Sequence, residues 1–129
     1  MPAASQIHAL VVDDQLSMRA LVCNALRQIG ITNIREAGNG EEGLRELIAR
    51  PAHLVISDFN MPKMDGLALL RAVRAHEPVA NAGFIMLTGR ADSDLVARAR
   101  QFGVNNYVVK PFTNAQLKEK IEQVFGVLT

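Results

Sequence analysis

The stretch LVISDFNMPKMDG, Leu54 to Gly66, begins as a run apolar enough for a buried strand and stops on a carboxylate, Asp58. A proline and a second acid, Asp65, follow before the next apolar pattern begins. A buried strand has no need of an acid at its tip, and an unpaired charge there is costly. Two readings stay open at this point. Asp58 either caps the helix that follows, or is held at the edge of a sheet for chemistry.

Working outward, short apolar runs alternate with helical patterns five times. IHALVV is followed by a helix from about Gln15 to Ile29, with Met18, Leu21, Val22, Ala25, Leu26 and Ile29 facing inward and Gly30 closing it. NIREA is a second strand, too polar for the sheet centre. After Asn39-Gly40 a helix turns Leu44, Leu47 and Ile48 inward and ends before Pro51. Leu67, Leu70 and Val73 mark a third helix, and GFIML is the fourth strand. A helix opened by Asp92-Ser93-Asp94 buries Leu95, Val96, Ala99 and Phe102 before Gly103. YVV is a short fifth strand. The last helix begins at Thr113-Asn114-Ala115-Gln116, which has capping-box form, and buries Leu117, Ile121, Val124 and Phe125.

Apolar strands alternating with helices predict a parallel sheet covered on both faces. The chain reads as one doubly wound α/β domain over residues 1–129, with a core from about 7 to 127 and no output domain. Its 129 residues suffice for a real core, and 14 basic against 13 acidic residues point to neither nucleic acid nor a membrane surface as partner. Cys23, the one cysteine, excludes an internal disulfide and suits a reducing cytoplasm. The start, MPAASQ, lacks the regions of a signal peptide, and no apolar run reaches the ~18 residues of a membrane span.

The polar residues fall at strand ends. Strand one ends in Asp13-Asp14, strand three in Asp58, strand four in Thr88, and strand five runs into Lys110. In an open α/β sheet these ends share one edge, where ligands bind. Each residue alone has a plain alternative: Asp14 as a helix cap, Thr88 as a turn cap, Lys110 as a solvated charge. Together they converge in space. Two carboxylates ~4 Å apart repel by about 4 kcal/mol at an effective dielectric near 20, so three acids at one edge need protons or a cation. Oxygen ligands suit Mg²⁺ or Mn²⁺ rather than zinc. Lys110 and Thr88 could stabilise a phosphoryl group, and Asp58 is a carboxylate nucleophile.

VVDDQLSMR, VISDFNMPKMDGL, MLTGRA and NNYVVKPFT resemble bacterial two-component response-regulator receiver domains, in particular the stand-alone chemotaxis regulators, over about Ile7 to Val127. The resemblance implies a flavodoxin-like (βα)5 fold with strand order 2-1-3-4-5. It implies Asp58 as phosphoacceptor from a histidine kinase, and Asp14, Asp58 and the Asn60 backbone carbonyl as Mg²⁺ ligands, with Asp13 holding metal waters. Thr88 and Lys110 would take phosphoryl oxygens, and a cis Lys110-Pro111 bond would turn the lysine back toward them. Tyr107 would be the switch aromatic, Asp65 the helix cap, and Ala91, Val96, Tyr107 and Lys120 part of the partner face. A cytoplasmic monomer acting on a flagellar motor switch protein is the implied output, by direct protein contact.

Several residues depart from that pattern or stand apart from it. Gln15 follows the acid pair where an apolar residue is usual, Phe59 stands where a Trp is familiar, and Arg90 stands where the chemotaxis regulators carry an acid. Arg90 is either a solvated charge or a residue that alters the lifetime of an aspartyl phosphate. Cys23 lies off the apolar stripe and reads as a surface thiol; His8, His53 and His76 read as bystanders. Other functions remain to be weighed. A phosphate sink or relay intermediate would look nearly the same. A haloacid-dehalogenase-like phosphatase, with Asp nucleophile and Mg²⁺, needs an acid at position 60, which is Asn. In an FMN-binding flavodoxin, DDQLS would repel the phosphate.

Overall fold

The computed structural model describes residues 3–89 and 93–129. Five strands, β1 (His8–Val12), β2 (Asn33–Ala37), β3 (Leu54–Asp58), β4 (Gly83–Thr88) and β5 (Asn106–Val109), alternate with five helices. These are α1 (Leu16–Ile29), α2 (Gly40–Ala49), α3 (Gly66–Ala75), α4 (Ser93–Gln101) and α5 (Asn114–Phe125). The strands form one parallel sheet in the order β2-β1-β3-β4-β5. Arg90, Ala91 and Asp92, the last of them expected to help open α4, lie outside the described residues.

Side chains alternate along each strand, so one run of residues feeds two cores. Ala9, Val11, Leu54, Ile56, Ile85 and Leu87 pack with Val22 and Leu26 of α1 and Leu117 and Ile121 of α5. Leu10, Val12, Val55, Phe84 and Met86 pack on the other face with Leu47 of α2, Leu70 and Val73 of α3 and Ala99 of α4. Each fully buried Leu, Ile or Phe here contributes about 1.5–3 kcal/mol over an exposed one. β2 takes the edge, as its polarity requires. Its Arg35 donates to the carbonyls of Glu46 and Arg50 and so closes the C-terminus of α2.

The helix ends follow their local chemistry. Asn39 and Asp65 accept from Glu42 N–H and Ala68 N–H at 2.9 Å, Thr113 and Gln116 form the expected capping box, and Gly30 ends α1 at φ 108°. Asp65 is thus the capping acid of the opening stretch. Among the described residues no helix is long and apolar enough to cross a membrane.

Three expected orientations are corrected. Cys23 is not a surface thiol but 2% exposed, while Leu21 is 58% exposed. At about 100° per residue the two sit on opposite sides of Val22. α1 is rolled so that the Cys23 side lies in the core and the Leu21 side faces solvent. Ile48 is likewise 52% exposed instead of inward. Gly43 leaves only 3.0 Å between an added Cβ and the Val12 side chain, so α2 leans on its glycine side and lifts Ile48 away.

Candidate functional site

The C-terminal ends of β1, β3, β4 and β5 bring five of the expected residues to one edge. Asp58 is the last residue of β3, paired with Leu87 in β4. Thr88 follows and pairs with Val109 of β5, which places it between the strands that carry Asp58 and Lys110. The Lys110 N–H donates to the Thr88 carbonyl at 2.8 Å, and the Lys110-Pro111 bond is cis, as expected. The lysine side chain turns back over the sheet edge, and its Nζ lies 2.8 Å from Asp58 Oδ1. Asp13, Asp58 and Thr88 are buried, whereas Asp14 and Asn60 are exposed.

The carboxylates of Asp13, Asp14 and Asp58 lie within 4.8 Å of one another. Asp13 Oδ1 accepts from Gln15 N–H at 2.9 Å, but its buried Oδ2 has no hydrogen-bond partner. Burial raises the pKa of Asp13 above the ordinary carboxylate value. The Gln15 N–H opposes this, Asp58 adds to it, Lys110 opposes it, and Asp14 adds again. A buried oxygen without a donor, facing two more carboxylates, is the donor set of a hard cation. The residues present therefore fit Mg²⁺.

The loop from Phe59 to Asp65 is folded tightly against this edge. Phe59 N–H donates to Leu87 O, Gly66 N–H returns to Phe59 O at 2.9 Å, and Lys63 adopts φ 68°. A Cβ at Gly66 would stand 2.6 Å from the Asp58 carbonyl, so only glycine lets α3 start so close to the acid. Of the expected switch and partner residues, Val96, Tyr107 and Lys120 are half-buried on α4, β5 and α5. Lys120 Nζ sits 5.5 Å from the centre of the Tyr107 ring. Arg90 and Ala91 lie outside the described residues. His8 and His53, expected to be scattered, meet with ring centroids 5.3 Å apart. They lie at the opposite end of the sheet.

Besides that of Arg35, two arginine networks escape sequence reasoning. Arg19 donates to the Asp13 carbonyl and to Glu36, and Arg74 donates to the carbonyls of Ala80, Ala82 and Gly103. Their partners are mostly backbone oxygens, which leave no pattern in side-chain identity. Nothing in the spacing distinguishes these arginines from solvated helix charges.

Residues 9–122 match the model of the response regulator receiver domain, and the chain belongs to that family. It is 50% identical over 128 residues to a probable chemotaxis protein CheY of Rhizobium etli, covering 99% of each chain. The solved chemotaxis protein CheY4 of Vibrio cholerae is similar at 28% identity and a TM-score of 0.85, over 96% of this chain and 99% of that one. The CheX-CheY-BeF3-Mg²⁺ complex of Borrelia burgdorferi matches at 27% identity and 0.85, over 92% and 89%. The chain is a receiver domain homologous to the CheY response regulators of chemotaxis, a signalling protein rather than an enzyme in the ordinary sense. Receiver domains hold Mg²⁺ in such an acidic pocket.

Proposed function

We propose that this receiver domain is a phosphorylation-controlled switch in which Asp58 accepts a phosphoryl group from a sensor histidine kinase. One observation carries the reading. A buried carboxylate at the tip of a central strand is bonded at 2.8 Å to Lys110 and grouped with two more carboxylates. An acid with a purely structural role needs a partner, but it does not need two other acids beside it.

In the transfer, a carboxylate oxygen of Asp58 bonds to phosphorus as the bond from phosphorus to the donor imidazole nitrogen breaks, and that nitrogen keeps the electron pair. When bound, Mg²⁺ stabilises the charge of the phosphoryl oxygens as a Lewis acid. Asp14, Asp58 and the Asn60 backbone carbonyl are assigned to hold it, with Asp13 binding its waters. Mn²⁺ suits the same oxygens. Lys110 shifts its hydrogen bond from Asp58 to a phosphoryl oxygen, and the Thr88 hydroxyl donates to another. The pocket promotes only its own phosphorylation and dephosphorylation.

The phosphoryl group, drawing Thr88 inward, is read out on α4, β5 and α5 through Val96, Tyr107 and Lys120, with Ala91 assigned to the same face. A groove of about 540 Å³ beside Tyr107, Lys110 and Lys120 supports protein docking there. The solved CheX-CheY complex also supports a protein partner. The reading is of a cytoplasmic monomer whose target is a flagellar motor switch protein. Asn60 stands against a phosphatase of the haloacid-dehalogenase type, and the three carboxylates stand against a bound flavin phosphate.

Acetyl phosphate with Mg²⁺ should add the mass of one phosphoryl group to the wild-type chain. It should add none to Asp58→Asn, and little to Asp14→Ala, whose Mg²⁺ binding should be sharply weakened. Phosphorylation of Asp58→Asn at the wild-type level would show that another residue is the acceptor. Capture of a motor switch protein only in the phosphoryl-mimic state separates the motor reading from a sink or relay.

A further inference from the structure

We propose that Arg19, oriented by Glu36, is a positioning residue for the acidic pocket, acting on the backbone that carries Asp13 and Asp14. The inference rests on the reading that these acids hold Mg²⁺. Past Val12 the pairing of β1 with β2 stops, and α1 does not start until Leu16. Gln15 gives α1 no side-chain cap. The segment that carries the two acids therefore lies between two regular elements and belongs to neither.

Two bonds tie down the backbone of Asp13 itself. The Asp13 N–H donates to the Ala37 carbonyl at 3.1 Å, and the Asp13 carbonyl accepts from Arg19 Nη1 at 2.7 Å. That carbonyl belongs to the peptide joining Asp13 to Asp14, so its direction sets where the Asp14 carboxylate can reach. The same guanidinium donates from Nε to Glu36 Oε1 at 3.0 Å. Glu36 adjoins Ala37, so the contacts close a ring: Asp13 to Ala37, Ala37 to Glu36, Glu36 to Arg19, and Arg19 back to Asp13.

The guanidinium suits this task because its donors are fixed in one plane, so satisfying Glu36 aims Nη1 at the carbonyl. An ammonium could meet either oxygen but would not hold both directions. Arg19 acts on the backbone. Lys110 is the cation whose charge favours the ionised form of Asp13. Residues that orient metal ligands from behind typically change metal affinity about 10–100-fold when removed. Mg²⁺ should be the sensitive probe, since it demands near-ideal octahedral geometry where Ca²⁺ tolerates irregular sites.

The test is calorimetric titration of the full chain with Mg²⁺ and, separately, Ca²⁺, beside thermal unfolding without metal. Arg19→Ala should raise the Mg²⁺ Kd about tenfold and the Ca²⁺ Kd by clearly less, narrowing the preference between the ions. Arg19→Lys should recover only part of the loss, and Glu36→Gln should give a smaller shift in the same direction. A folded Arg19→Ala chain with both constants within about twofold of wild type would overturn the proposal, as would equal losses for both ions. If that variant does not fold, the same criteria applied to Arg19→Lys decide. Failure of the metal reading itself would look different, because the wild-type chain would then bind no Mg²⁺.

Discussion

Lys110 Nζ meets Asp58 Oδ1 at 2.8 Å across 52 positions of sequence, with the two side chains 19% and 8% exposed. The ammonium and a metal ion therefore compete for the same carboxylate cluster. Lys110→Ala should tighten Mg²⁺ binding about threefold to tenfold, because a repelling charge a few ångströms away is gone. The same substitution should slow phosphorylation by acetyl phosphate about 100-fold, because a donor to the phosphoryl oxygens is lost. Calorimetry and intact mass against time check the two halves. Weaker Mg²⁺ binding in the variant would refute the competition.

Tyr107 should report phosphorylation at a distance. Its ring is half-buried with Lys120 Nζ 5.5 Å from the centroid, a contact worth about 0.5–1 kcal/mol at an exposed site. A beryllium trifluoride mimic with Mg²⁺ should shift the NMR signals of the Tyr107 ring and the Lys120 backbone by moving the population between two existing states. A partner preferring the shifted state must then favour phosphorylation in return. If only signals around Asp58 move, the coupling through Thr88 is wrong.

Cys23 gives a pH dependence of known sign. Burial, then the nearby Glu36, push its thiol above the ordinary value of 9.0, while Arg27 and Arg19 pull it back. The folded chain thus keeps the proton at a pH where the unfolded chain has lost it. Stability contributed by this residue is constant below about pH 9 and falls as pH rises beyond. Urea denaturation at neutral pH and at pH about 10 should show a larger loss for wild type than for Cys23→Ala. An equal loss would mean the thiol is exposed in solution, as would fast native-state reaction with a thiol reagent.

Arg74 pins two loops to α3 through neutral acceptors. It donates to the carbonyls of Ala80 and Ala82 at 3.0 and 2.7 Å, to Gly103 at 3.0 and 2.8 Å, and to Asn105 Oδ1 at 2.8 Å. Its burial lowers its pKa from the ordinary arginine value. Arg74→Ala would take the donor from the part-buried carbonyls of Ala80 and Ala82, while Asn105 Oδ1 keeps the Phe84 N–H, and should destabilise the fold by about 2–4 kcal/mol. Arg74→Lys should rescue little, since one ammonium cannot span them. Chemical denaturation with a change below about 0.5 kcal/mol would remove Arg74 from the framework.

Much of this molecule was readable in advance, for identifiable reasons. Strand and helix order followed from periodicity, and Asp58, Thr88 and Lys110 from polar residues ending apolar runs. Their roles needed the family resemblance, because an acid at a strand tip and an acid at a helix cap look alike in sequence. Asp58 and Asp65 were separable only by pattern. Cys23, Leu21 and Ile48 were misjudged because periodicity marks a stripe but not the roll of the helix about it. That roll is decided by contacts such as Gly43 against Val12, which join elements distant in sequence. Arg19 and Arg74 were illegible because a backbone carbonyl looks the same in every residue.

The sheet order has a consequence for a chain still leaving the ribosome. Asp13, Asp14 and Asp58 are made before residue 60, whereas Lys110 belongs to the segment just after β5, the last strand made. An emerging chain that has completed β4 carries the acids without the cation that pairs with Asp58 across the sheet. The pocket is finished only when β5 docks beside β4. The acidic pocket is thus completed by the same stretch of chain that carries Tyr107.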